Sequence, residues 1–155
     1  YGVEIKDCIV EKNYTYQSRA DAYQNNIGYQ GGATNTDAKN NYMPDGLITN
    51  GSITSSNNTL GVVGDSIVVI PISSSRAHVA IYNASLKDTV NVPVSFKGTV
   101  EVKNIQDYFN DVQKLTVKDG AIEVSMINRT TATPQGWDAP KSTFPEFGCF
   151  VLIKD

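Results

Sequence analysis

Few side chains in this 155-residue sequence could do chemistry, and their spacing keeps them apart. The one histidine, His78, sits in the run Arg76-Ala77-His78-Val79-Ala80-Ile81. Strand alternation places it opposite Ala77, Val79 and Ile81, so it is expected on a polar face. Ser73, Ser74 and Ser75 are its neighbours in sequence, but a strand splays adjacent side chains. No Gly-x-Ser-x-Gly turn is present to expose a nucleophile. Glycoside hydrolysis needs two carboxylates at a set separation in a cleft. Of the five glutamates (Glu4, Glu11, Glu101, Glu123, Glu146), Glu101 and Glu123 fall between apolar strand positions and are expected to face solvent, and no pair stands out. Gly31-Gly32 is followed by neither a lysine nor a helix start, which excludes a phosphate loop. Asn35, Asp37, Asn40, Asn41 and Asp45 offer oxygen ligands of the kind calcium takes. They lack EF-hand spacing and its closing glutamate, and read as a polar, turn-rich loop. Two cysteines and one histidine this far apart do not make a zinc site. The expectation is a protein that is not an enzyme, with no catalytic residues, metal or cofactor.

Cys8 and Cys149 both fall in predicted strands, Ile5 to Val10 and Cys149 to Ile153. If those strands are neighbours, a bridge would close nearly the whole chain and add roughly 4–5 kcal/mol in the chain-entropy account. Two buried free thiols are the other reading. Asn13, Asn50, Asn57, Asn83 and Asn128 each begin an Asn-x-Ser/Thr acceptor for glycosylation. The sequence opens on Tyr1 without an initiator Met or a leader, as in a mature secreted protein or a piece of a longer polypeptide. An extracellular, cell-surface or virion-surface location is expected.

The aromatic side chains are more suggestive than the ionisable ones. Tyr14, Tyr16, Tyr23, Tyr29 and Tyr42 cluster in one stretch, and Trp137 lies between Pro134 and Pro140. Such rings combine an apolar face with a hydrogen-bonding tip and suit both subunit interfaces and stacking on sugars. Trp137 could equally cover the core. The favoured function is a non-catalytic structural subunit of a filament, fibre or virion surface, acting through homo-oligomerisation or contact with neighbouring subunits. The alternative is a carbohydrate-binding module, or an accessory domain of a polysaccharide-active enzyme. With 13 Lys+Arg against 16 Asp+Glu, the net charge of −3 argues against nucleic acid as a partner. No apolar run is long enough for a membrane-spanning helix.

The elements that must carry these residues are β-strands. The sequence holds 16 Val and 13 Ile against 5 Leu, and β-branched side chains fit a pleated surface better than a helix. Another 14 Asn, 12 Ser and 13 Thr supply turns and caps. The expected fold is all-β: an antiparallel β-sandwich of jelly-roll or Ig-like type, with about eight or nine strands in a single domain over residues 1–155. Residues 14–46 stand out as a long polar excursion, or arm, rich in Tyr, Asn and Gly. Of the 29 Val and Ile residues, only Ile27 falls there. A short helix around Ser18 to Gln24 is allowed within it.

Predicted strands are Leu47–Thr54, Ser66–Ile72, Ala77–Tyr82, Thr89–Phe96, Val100–Ile105, Val112–Val117, Ala121–Ile127 and Phe147–Ile153, besides Val3–Val10. A type I′ turn at Asp119-Gly120 predicts a hairpin that pairs Lys118 with Ala121, Val117 with Ile122 and Leu115 with Val124. A loop over Lys97-Gly98-Thr99 predicts a second hairpin, pairing Phe96 with Val100. Ser66 to Ile72 is apolar without alternation, as in a central strand or one crossing between sheets, with Pro71 marking an edge or bulge at its far end. Asn104 to Val112 suits a helical turn, and Thr130 to Pro145 a proline-rich connection. The run Gly2 to Val10, followed by Asn13, resembles one rung of a right-handed β-helix. The pattern does not repeat downstream, so no solenoid is expected.

Overall fold

The computed structural model describes residues 9–11, 13–15, 27–43, 47–60 and 64–154. The chain is all-β and divides into two compact units, Tyr1–Val63 and Gly64–Asp155.

In the first unit the strands are β1 (Ile9–Glu11), β2 (Ile27–Lys39), β3 (Tyr42–Met43), β4 (Leu47–Ser56) and β5 (Thr59–Leu60). Pairing here is parallel, in the order β1-β2-β4, with a second parallel pair of β3 and β5. Ile9 lies beside Asp37, and Asp37 beside Thr54. Tyr14 bridges to Tyr42, and Tyr42 lies beside Thr59. Residues 9–11 with 13–15, 37–43 and 54–60 are therefore three passes of one bent path, stacked as coils. The described part of the polar stretch is built into this stack as β2 and β3. Tyr16, Tyr23 and the helix allowed at Ser18 to Gln24 lie outside the described residues.

Each coil turns its corner on an asparagine. Asn41 is buried, and its Oδ1 accepts from the backbone N–H of Asn13 at 3.0 Å and from Asn13 Nδ2 at 2.9 Å. Asn58 Oδ1 accepts in the same way from Asn41 N at 3.0 Å and Nδ2 at 2.9 Å. The ladder ends at Asn58, whose Nδ2 turns to Ala38 O and Ser55 Oγ. Asn40 and Asn57, the residues just before the ladder, both take left-handed backbone (φ 56 and 52), which Asn tolerates better than other non-glycine residues. The expectation that no solenoid follows the first rung is thus overturned. The corner recurs after 28 residues and then after 17, so no fixed period announces it.

The second unit is antiparallel. Its strands are β6 (Ser66–Ser73), β7 (Arg76–Tyr82), β8 (Thr89–Pro93), β9 (Thr99–Asn104), β10 (Val112–Thr116), β11 (Ala121–Ser125) and β12 (Phe147–Lys154). Five form one sheet, in the order β10-β9-β12-β7-β6, and β8 pairs with β11 in another. Alternation explains the layering. Ala77, Val79 and Ile81 of β7, Val100 and Val102 of β9, and Phe150 and Leu152 of β12 point to one side. There they meet Val92 of β8 and Ile122 and Val124 of β11 in a single core. Gly148 lies under the rings of Phe144 and Phe150, where an added Cβ would come within 2.6 Å of the first and 2.7 Å of the second.

Both predicted hairpins are corrected by this pairing. At Asp119-Gly120 the turn forms, with positive φ at both residues and a bridge from Lys118 to Ala121. Beyond it the strands part: Leu115 pairs with Val100, and Val124 with Val90. The loop at Gly98 likewise links strands of different sheets, so Phe96 and Val100 are not a pair. Instead β8 and β11 pair with each other, and β9 and β10 pair in the five-stranded sheet, so each turn joins the two sheets. β6 is not central but outermost, and it carries the expected irregularity between Pro71 and Ser73.

Replacing Asn41 with Ala removes the acceptor of Asn13 and the donor to Asn58 from a buried site. The expected loss is roughly 2–4 kcal/mol of stability in the first unit, measured by thermal unfolding. Asn41→Asp, nearly isosteric, should also destabilise, because it turns the Nδ2 donor into an oxygen facing Asn58 Oδ1. A variant as stable as the parent would mean that the ladder contributes only packing.

Candidate functional site

The ligand-type aromatics separate by exposure. Tyr42 is buried and Tyr14 half-buried, both within the coil stack, while the backbone of Tyr29 lies in β2. Trp137 is 78% exposed, so it does not cover the core. It sits on the connection from Thr130 to Pro145, which is tied down on both flanks. Ala132 N–H donates to Gln106 O at 2.8 Å, and Gln106 Nε2 donates to Thr143 Oγ1 at 2.7 Å. Gln106 belongs to a 3₁₀ turn, Ile105–Asp107, capped by Asn104, whose side chain accepts from Gln106 N–H. Ile105 (54% exposed) begins that turn, and Phe109 (87% exposed) follows it.

A buried polar network anchors this end of the second unit. Asn104, Asp107 and Asp111 are all buried. Asn104 Nδ2 donates to Asp111 Oδ2 at 2.9 Å and to Thr130 O at 2.8 Å. Arg129 donates to Asp111 Oδ1 at 2.7 Å, and the Thr130 hydroxyl to Asp107 Oδ2 at 2.6 Å. Sequence reading missed this network, because its members are spread over two loops with no motif between them. The Thr130 hydroxyl and the Asn110 amide hold Asp107 below the ordinary aspartate range. The network is already saturated with internal partners, so it positions the loops rather than offering free ligands. Among the described residues no group of three or more His, Cys, Asp or Glu side chains could hold a metal ion.

His78 is on the face away from the core, but that face is not polar there. Its cross-strand neighbours are Ile70 and Val151, and among the described residues its buried Nε2 has no hydrogen-bond partner. Cys149 is a free thiol beside Ala80, so the bridge considered for it is not made; Cys8 lies outside the described residues. Burial pushes the Cys149 thiol up to about 11. Among the glycosylation acceptors, Asn83 is buried, with its Nδ2 donating to Lys87 O and Pro145 O, both at 2.8 Å, so a glycan there is incompatible with the fold. Asn57 and Asn128 are exposed, Asn13 donates its amide to the ladder, and Asn50 lies in β4. Glu101, with Lys114 at 3.2 Å and Lys103 at 3.7 Å, is part of an ion-pair cluster, and Lys103 also lies 5.1 Å from the Tyr108 ring centre.

Between the edges of β6 and β8 the second unit leaves a cleft of about 520 Å³. Ile67 and Val90 form apolar walls, and Asn91 and the Lys87–Asp65 pair (2.7 Å) stand at its margin. Lys87 and the Ser85 N–H lower the Asp65 carboxyl to about 2.

Compared with protein-family models, curated proteins and solved structures, the chain matches none. Its function has to be argued from the geometry.

Because the native value of Asp107 is depressed, its ionisation favours the folded turn above the ordinary aspartate range. That contribution is lost as pH falls through the depressed value. Acid should therefore loosen residues 105–111 before the sheets, and Asp107→Asn should remove that step, as followed by amide chemical shifts. In a Cys8→Ser background, Cys149 should resist thiol reagents at pH 8 until the protein is denatured; rapid labelling of the native state would contradict its burial.

Proposed function

We propose that the protein is a non-catalytic structural component that acts by self-assembly at a surface, as a subunit of a filament, fibre or virion exterior. The observation that carries this reading is the stack of parallel coils joined by Asn13, Asn41 and Asn58. Coils of this kind bury one continuous core and run their backbone hydrogen bonds along a single axis, which suits a stiff, elongated part better than a folded catalytic cleft. The second unit reads as an antiparallel β-sandwich of Ig-like or jelly-roll type closing on its own core. Such a module presents edges and loops to neighbours. The exposed acceptors Asn57 and Asn128 are compatible with an extracellular setting. No helix among the described residues is long and apolar enough to cross a membrane.

One observation favours carbohydrate binding as a second reading. Trp137 stands in solvent on a connection anchored at both flanks, the arrangement a stacking platform needs.

Sedimentation and electron microscopy of the purified chain separate the two. Assembly predicts oligomers or filaments that grow with concentration. A monomer at every concentration, retarded in native gels containing polysaccharide and released by Trp137→Ala, would replace the assembly reading with sugar binding.

A further inference from the structure

We propose that β6 is a homodimerisation edge: it pairs antiparallel with β6 of a second copy across a two-fold axis at Val68. This names the partner surface for the assembly reading and rests on it. Among the described residues β6 is hydrogen-bonded on one side only, to β7, and it ends the five-stranded sheet. From Ser66 to Ser73 it carries no charged residue. A two-fold antiparallel pair sets each residue near its own equivalent, so charges on the strand would repel, and none is there. The neighbouring carboxylate, Asp65, is already neutralised by Lys87 at 2.7 Å.

Pro71 fixes the register. Having no N–H, it fits a sheet only with its nitrogen turned to the free edge. Strand alternation then turns the N–H and C=O groups of Ile67 and Val69 to that edge as well. Pairing centred on Val68 sets Ile67 against Val69 of the second copy, and the reverse, with each pair exchanging its hydrogen bonds. The paired stretch ends at Ile70, just short of Pro71. On the inner face, Ile67 and Val69 are only partly buried, and Ile67 opens into the cleft beside β8. In the dimer each gains an apolar neighbour from the other copy. On the outer face, Ile70, 37% exposed, meets Ser66 of the second copy. The joined sheets form one continuous sheet. The contact is small by the standard of stable interfaces, so the dimer is expected to depend on concentration.

The test uses the full chain and sedimentation velocity over a roughly hundredfold concentration range. The parent is expected to shift from monomer to dimer. Val68→Lys and Val68→Glu should each weaken dimerisation roughly tenfold or more, by setting like charges face to face at the axis, and an equimolar mixture of the two should recover it. Circular dichroism establishes that each variant is folded. Should either fail to fold, Val68→Cys in a Cys8→Ser, Cys149→Ser background gives an independent readout. The axis places the two Cα atoms about 4.5 Å apart, within disulfide range, so oxidation should yield a covalent dimer. A parent that stays monomeric throughout overturns both this interface and the assembly reading. Oligomers that persist unchanged in the folded charge variants, or a Val68→Cys chain that does not cross-link, overturn the β6 interface and leave the assembly reading standing.

Discussion

A buried primary amide in a parallel stack has to find a carbonyl at its own height, and this constraint organises the first unit. Asn41 meets it by accepting from the coil on one side and donating to the coil on the other. The exchange works only if each coil brings an asparagine to the same corner. The ladder therefore sets the register of β1, β2 and β4 together with that of β3 and β5. Slipping one coil by a residue would take Asn41 out of line with Asn13 and Asn58 and leave its buried amide unpaired, at the cost of an unsatisfied polar group.

The second unit is organised by a strand from its own far end. β12 lies between β7 and β9, and through Phe150 and Leu152 it supplies large side chains to the middle of the core. Its neighbours are joined only when the last residues of the chain arrive, so the sheet depends on long-range pairing rather than on hairpins. The Thr130 to Pro145 connection, pinned by Gln106 and the Asp107–Asp111 network, delivers β12 to that slot.

Most of the second unit was legible in the sequence, since alternation and turn residues mark each strand to within a few positions. What could not be read was which strand each one pairs with. The Asp119-Gly120 turn has the backbone its residues predict, yet Leu115 and Val124 go to different sheets, because pairing is decided by layers that a local pattern does not contain. The first unit was hidden for another reason. The sequence repeats a short tripeptide at the corners, Lys12-Asn13-Tyr14, Asn40-Asn41-Tyr42 and Asn57-Asn58-Thr59, at unequal spacing, with the described corner on the asparagine at its centre. Comparing those tripeptides, rather than looking for a period, would have found it. The polarity of a single Asn in a Tyr-rich stretch reads as a loop, although in the fold Asn41 is buried and bonded to the coil on each side. Of the aromatics singled out, Tyr42 is structural and Trp137 stays at the surface, a difference that depends on neighbours far away in sequence.

The unequal spacing of the corners has a consequence for tolerance to change. The chain leaves one corner and returns to the next after 28 residues in one case and 17 in the other, and the ladder bonds are the same length in both. The corners are thus held at the asparagines whatever the number of residues between them. Loop length costs little once the ends are held together. Chain length between two corners, outside β2, β3 and β4, can therefore change without disturbing the ladder that fixes the frame.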